Sequence, residues 1–262
     1  MRRLSFVFWA AALLTPAAHA QEFSALVSPP RFETTTQPGS TYRDVIEITN
    51  VSSSSAKYYL RTADWDLDAS GQAVFQDDLK PGSCRPWAAL ERRDIQVPAG
   101  GKYRFRFEVA VPADAPAGEC RLAIMLEGEP QAVGAGNMSI PVSGRLGIVV
   151  YVAVGGAKPA FQIEGQTRAP VEGIERPALR LKNVGNAHGR LEGYIDAVDA
   201  KGTKITFTPS NLPILAGETR VVPLAPLQEK GMPEPKVAYP LTLKGKIDWN
   251  NQRLDVDGVV IP

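Results

Sequence analysis

Histidine, cysteine and clustered carboxylates carry much of protein chemistry, and this 262-residue chain has only two His and two Cys. His19 lies in an apolar leader, so His188 is the one histidine expected in the mature chain, within the turn-rich phrase Asn186-Ala187-His188-Gly189. A Ser-His-Asp hydrolase would have to be built on it, yet no GxSxG elbow is present. Zinc needs three or four ligands at recognisable spacing, and neither HExxH nor a double CxxC occurs. A lone histidine in such a loop reads as a solvated side chain. Asp64, Asp66 and Asp68 form a DxDxD string, but an EF-hand loop needs Gly at its sixth position and Glu at its twelfth, where this chain has Ala69 and Phe75. The string therefore reads as a strand end entering a polar turn. Gly134-Ala135-Gly136 lacks the Lys and following helix of a phosphate loop, and no two carboxylates can be placed at the separation a glycosidase requires. A protein that is not an enzyme, with no metal and no cofactor, is the expectation.

The elements that would hold these residues follow from pattern. Residues 1–20 combine Arg2 and Arg3, an apolar run from Leu4 to Leu14 and the small-residue end Ala18-His19-Ala20. That is the form of a secretory signal peptide cleaved after Ala20, and the run is well short of the roughly 20 residues that span a bilayer. Export to an oxidising compartment, preferentially a bacterial periplasm, makes Cys84 and Cys120 a natural disulfide pair, since no other thiol competes. A redox or metal role for them would want a CxxC, which is absent.

From Phe23 onward, short apolar stretches alternate with turn residues and no long helical periodicity intervenes, which is an all-β pattern. Tyr42, Asp44, Ile46 and Ile48 share one face of a strand, as do Tyr103, Phe105, Phe107 and Val109. About seven such strands precede Gly155-Gly156-Ala157-Lys158-Pro159, where a linker is placed. Beyond it, phrases return in order. Ile48-Thr49-Asn50-Val51 is echoed by Leu181-Lys182-Asn183-Val184, Asp68-Ala69-Ser70-Gly71 by Asp199-Ala200-Lys201-Gly202, and Val97-Pro98-Ala99-Gly100 by Ile214-Leu215-Ala216-Gly217. The expected architecture is two immunoglobulin-like β-sandwich domains in tandem, residues 21–155 and 156–262, after the signal peptide. Turn chemistry alone also makes Asn and Gly recur in β proteins.

Charge excludes other classes. Twenty-nine Lys plus Arg stand against 28 Asp plus Glu, and loss of Arg2 and Arg3 leaves 27 against 28, or −1. Nothing there draws nucleic acid, and no second run could make the protein membrane-spanning.

The last strand before the linker, Arg145 to Val154, is apolar on both faces: Leu146, Ile148, Val150 and Val152 on one, Gly147, Val149, Tyr151 and Ala153 on the other. Such a strand is either a template for a partner's strand or one buried on both sides within its own domain. Together with Ser28-Pro29-Pro30-Arg31-Phe32, Ile46-Glu47-Ile48-Thr49-Asn50, Val97-Pro98-Ala99-Gly100 and Arg145-Leu146-Gly147-Ile148-Val149-Val150-Tyr151, in that order, it makes residues 23–155 resemble the PapD-like periplasmic pilus chaperones. The resemblance implies donor-strand complementation, in which Leu146, Ile148, Val150 and Val152 bind an exported β-rich pilin-like subunit for delivery to an outer-membrane usher. It also implies a basic pair that anchors the client's terminal carboxylate. Arg31 matches its first member. Gly147 stands where the family has a lysine, and Arg145, two residues earlier on the same face, is the substitute. Family bridges usually join the last two strands of the first domain, unlike Cys84 and Cys120. In related chaperones a long loop before the donor strand can carry extra contacts, here Met138 and Ile140; a free hairpin tip is the equal alternative. The competing expectation is a structural or adhesive surface protein that binds a protein or glycan through its loops, with Trp65, Trp87 and Trp249 stacked on sugar or, as is commoner in sandwiches, buried in core.

Overall fold

A computed structural model describes residues 23–133, 140–228 and 234–262. The expected leader and Met138 lie outside the described residues. Among the described residues, twenty strands and a single 3-10 turn, Arg85–Trp87, make up the regular structure. The first twelve strands are β1 (Ala25–Ser28), β2 (Arg31–Thr36), β3 (Thr41–Asn50), β4 (Ala56–Leu67), β5 (Ala73–Gln76), β6 (Ala88–Leu90), β7 (Asp94–Val97), β8 (Lys102–Ala110), β9 (Gly118–Gly128), β10 (Gln131–Val133), β11 (Ile140–Val142) and β12 (Arg145–Val154). One sheet runs β1-β3-β8-β6; the other runs β2-β12-β9-β4-β5, with β7 on β4, and β10 and β11 make a separate hairpin. Alternation dictates what lies between the two sheets. Ile46 and Ile48 of β3, Phe105, Phe107 and Val109 of β8, Leu122, Ile124 and Leu126 of β9 and Ile148, Val150 and Val152 of β12 all turn inward into one core.

The second sandwich contains β13 (Phe161–Val171), β14 (Ile174–Asn183), β15 (Ile195–Val198), β16 (Lys204–Pro209), β17 (Thr219–Pro226), β18 (Leu241–Trp249), β19 (Gln252–Asp255) and β20 (Val260–Ile261). Its strands follow the path β13-β14-β17-β16-β15-β18-β19, with β20 on β18. They fold around Leu179, Leu181, Phe207, Leu224, Leu243 and Ile247. Among the described residues no strand pairing joins β1–β12 to β13–β20, and the chain crosses between them from Val154 to Phe161 through Gly155-Gly156.

The echoed phrases occupy matching places. Asn50 ends β3 fully buried, its amide donating to the carbonyls of Ser54, Val97 and Pro98 while Oδ1 accepts from Ser52 N–H. Asn183 ends β14 fully buried, donating to the carbonyls of Ala187 and Ile214 while Oδ1 accepts from the N–H groups of Gly185 and Ala160. In both turns an aspartate accepts from the N–H groups two and four residues on: Asp68 from Ser70 and Gln72, Asp199 from Lys201 and Thr203. Each asparagine tethers a strand end to the loop before a later strand by satisfying carbonyls that would otherwise be buried without a donor. Replacing Asn50 or Asn183 by Ala is expected to cost about 2–3 kcal/mol, because an unpaired buried carbonyl costs about 1–3 kcal/mol. Denaturant titration of the two variants measures it.

Cys84 and Cys120 form a disulfide with Cα atoms 5.4 Å apart. The DxDxD string is occupied by protein. Asp64 accepts from Lys80 N–H at 2.9 Å, the Ser83 hydroxyl at 2.6 Å and Arg85 at 3.3 Å; Asp66 pairs with Lys80; Asp68 closes its turn. These bonds and the disulfide fasten the segment before the 3-10 turn to the second sheet.

Candidate functional site

Strand β12 pairs antiparallel with β9 along its whole length, from Arg145↔Glu127 to Val154↔Gly118. On its other side it pairs in parallel with β2, but only from Val149↔Arg31 to Val154↔Thr36. The cause is at the start of the chain. β1 pairs with β3 in the opposite sheet, and the backbone changes sheets at Pro29-Pro30, two residues without N–H groups, so it reaches β12 only at Arg31. Among the described residues, the backbone edge of Arg145, Leu146, Gly147 and Ile148 on that side has no strand partner. This is an open sheet edge. It is continuous in sequence with the hairpin β10–β11, whose Ile140 and Val142 are exposed.

Side chains along β12 differ sharply. Ile148, Val150 and Val152 are fully buried in the first sandwich, together with Phe32, Leu122 and Ile124, whereas Leu146 is half-buried at the margin of that core. The opposite face is covered too. Val149 and Tyr151 pack with Ala63, Trp65, Ala123 and Met125, and Leu215 of the second sandwich closes over them. The strand is apolar on both faces because both faces are packed.

Arg31 and Arg145 are not brought together. Arg31 lies opposite Val149, four residues from Arg145, about 13 Å along the strand. Arg31 pairs with Glu33 at 2.7 Å. Arg145 is exposed opposite Glu127, which is itself held by Arg61. At Gly147, the place of the family lysine, the Phe75 ring of β5 occupies the volume a Cβ would need. Gly147→Lys is therefore expected to cost about 1–3 kcal/mol, as overpacking does, and Phe75→Ala in the same chain to return much of it. Thermal melts of the two variants check this.

The expectation for His188 is corrected. Its side chain is only 9% exposed, against 2% for the adjoining Glu119, and its ring stacks on Tyr151 with centroids 3.8 Å apart. Nδ1 is 2.5 Å from Glu119 Oε2, and Nε2 is 3.5 Å from Glu33 Oε1. Arg190 reaches the same Glu33 oxygen at 3.4 Å. His188 and Arg190 come from the second sandwich; Glu33, Glu119 and Tyr151 come from β2, β9 and β12 of the first. Hydrogen bonding to His188 chiefly, with Arg31 and Arg190 beside it, holds the Glu33 carboxyl down at about 2. Burial pushes the Tyr151 phenol up to about 12. Sequence offered no signal for this cluster, because its members are separated by tens of residues and meet only when the two sandwiches dock.

The tryptophans are core residues or close to it. Trp65 and Trp249 are buried and present no open ring face for a sugar, and Trp87 packs half-buried against the first core.

A family model described as a UBA-like domain matches residues 43–80. That stretch is β3 to β5 here, and it is well under half of the chain. No curated protein matches the chain by sequence. Among solved structures it is similar to the YadV chaperone, at 10% identity and TM-score 0.47, with 90% of this chain and 98% of that one covered. It is also similar to the Pseudomonas aeruginosa CupB2 chaperone, at 9% identity and TM-score 0.46, covering 88% and 100%. A third likeness is to the E. coli chaperone DraB, at 14% identity and TM-score 0.46, covering 90% and 96%. These likenesses concern the arrangement of strands.

Proposed function

We propose that this chain is a periplasmic chaperone of two domains, residues 21–155 and 156–262, which captures an exported, β-rich, pilin-like subunit by adding the subunit's strand to β12. The observation that carries the reading is the unpartnered edge of Arg145–Ile148 beside the half-buried Leu146. Backbone groups on such an edge template another strand, and Leu146 is the member of the apolar row Leu146, Ile148, Val150 and Val152 that stands at the margin of the core, where a client's side chains can meet it. Delivery to an outer-membrane usher follows from the same reading. The separation of Arg31 from Arg145, and the pairing of Arg31 with Glu33, support a reading in which affinity comes from strand pairing more than from a carboxylate anchor. The exported subunit is the occupant, and the chain itself does no chemistry.

The test is affinity purification of the tagged protein from the periplasm of its own host, with stoichiometry read by native mass spectrometry. One small β-rich exported subunit bound one to one, and lost in Leu146→Asp, is the expected result. Undiminished binding by a folded Leu146→Asp variant would sink the proposal.

A further inference from the structure

One ionisable ring sits within the contact between the sandwiches. His188 has carboxylate oxygens at both of its nitrogens, from Glu119 on Nδ1 and from Glu33 on Nε2. An ionised carboxylate only accepts, and a neutral imidazole has only one N–H, so the neutral ring would aim one lone pair at a carboxylate oxygen. The arrangement satisfies both sides only when both nitrogens carry protons. Glu119 depends on that charge: its side chain is 2% exposed, and Oε1 has no partner among the described residues. Glu33 does not depend on it in the same way, because Arg31 and Arg190 also reach it. Tyr151 supplies the ring face on which the imidazolium stacks and carries no charge of its own at neutral pH. Arg121, on β9, lies over Trp65 in the same packed layer.

Other ties between the sandwiches lie beside this cluster and at a second place, where the buried Gly71 turn of the first sandwich abuts Leu212 and Arg220 of the second. Glu119 N–H donates to the Asn186 carbonyl at 2.8 Å, His188 N–H donates to Glu119 Oε2 at 3.1 Å, and Leu215 packs near Tyr151. The covalent link is tied at both ends, Gly155 N–H donating to the Thr36 carbonyl and Lys158 N–H to Asn186 Oδ1, with two glycines between the sandwiches as its pivot. Gly155 and Gly156 both have positive φ, 64° and 77°, a conformation glycine adopts without a steric penalty.

We propose that protonated His188 is an interdomain lock, and that its deprotonation at alkaline pH frees the two sandwiches to reorient about Gly155-Gly156. Without the imidazolium, a buried Glu119 carboxylate keeps no counter-charge, and opening the contact is the way to hydrate it. Burial by itself would push His188's pKa down, but its bonds to Glu119 and Glu33 outweigh that and hold it above the ordinary 6.5. A raised pKa places the stabilisation fully below about 6.5 and removes it as pH climbs through the folded-state value. Glu33 works in the opposite sense: its lowered pKa makes its contribution complete above its ordinary 4.5 and lost as pH falls towards 2. The lock is therefore fully set between about 4.5 and 6.5.

Two measurements test it on the whole chain. NMR titration of the imidazole resonance that disappears in His188→Gln is expected to give a pKa above 6.5, falling in Glu119→Gln. Spin labels placed at the exposed positions of Arg104→Cys and Lys201→Cys, with the native disulfide intact, are expected to show one narrow distance at pH 6 and a broad distribution at pH 9. With His188→Gln added, the distribution should be broad at both. Titration of His188 at or below 6.5, or a wild-type distance distribution unchanged between pH 6 and pH 9, overturns the proposal.

Discussion

Ile148→Asp unfolds the first sandwich, while Leu146→Asp, two residues away on the same face of the same strand, leaves it folded and abolishes client capture: this contrast is the largest expected effect. Ile148 is fully buried among the residues of the first core, so a carboxylate there either sits uncompensated in apolar surroundings or is protonated at a comparable cost. A loss of about 4 kcal/mol or more follows, which exhausts much of a typical domain's stability. Leu146 lies at the open end of β12, where β2 has not yet joined the sheet, and is half-buried. Asp at that position keeps access to water, and its cost falls instead on strand addition, because a charged side chain on an open edge opposes pairing. Far-UV circular dichroism with urea titration separates the two variants, and the capture assay then applies to Leu146→Asp alone. Loss of fold in both would show that the edge position of Leu146 is as intolerant of a carboxylate as the core position of Ile148.

The second large effect is expected from the disulfide. Removing it in the double variant Cys84→Ala, Cys120→Ala should lower stability by about 3–4 kcal/mol, the chain-entropy value for opening a loop of this length. Both cysteines are buried within the first core, so loss of the sulfur atoms adds a small packing term. The native arrangement should survive, since Asp64 still holds Lys80, Ser83 and Arg85 in place. Urea denaturation with and without reductant gives the number. A wild-type protein whose midpoint does not move on full reduction would contradict it.

Much of the fold was legible because a strand's side chains alternate with period two and turns demand particular residues. Phe105, Phe107 and Val109 announce an inward face, and Asp68 and Asp199 announce turns in which one carboxylate gathers two N–H groups. The echo of Asn50 in Asn183 was readable as a phrase, but what the phrase does was not: each amide bonds to carbonyls of residues distant in the chain. The candidate site was legible only in outline. Alternation shows that Leu146, Ile148, Val150 and Val152 share a face, but it does not say what covers that face at each step. The answer depends on where Pro29-Pro30 lets the first strand change sheets, a matter of three-dimensional register.

The sequence by itself determined the all-β class, the pairing of the two cysteines and the apolar character of β12, because these rest on local pattern and on counting. Tertiary structure alone decided that Phe75 fills the place of a side chain at Gly147, that Arg31 and Arg145 lie apart, and that His188 is clasped between two carboxylates from the other sandwich. Each of these depends on residues far apart in the chain reaching the same few ångströms. Only the docking of one sheet on another, and of one sandwich on the other, fixes such distances, and no spacing along the chain encodes them.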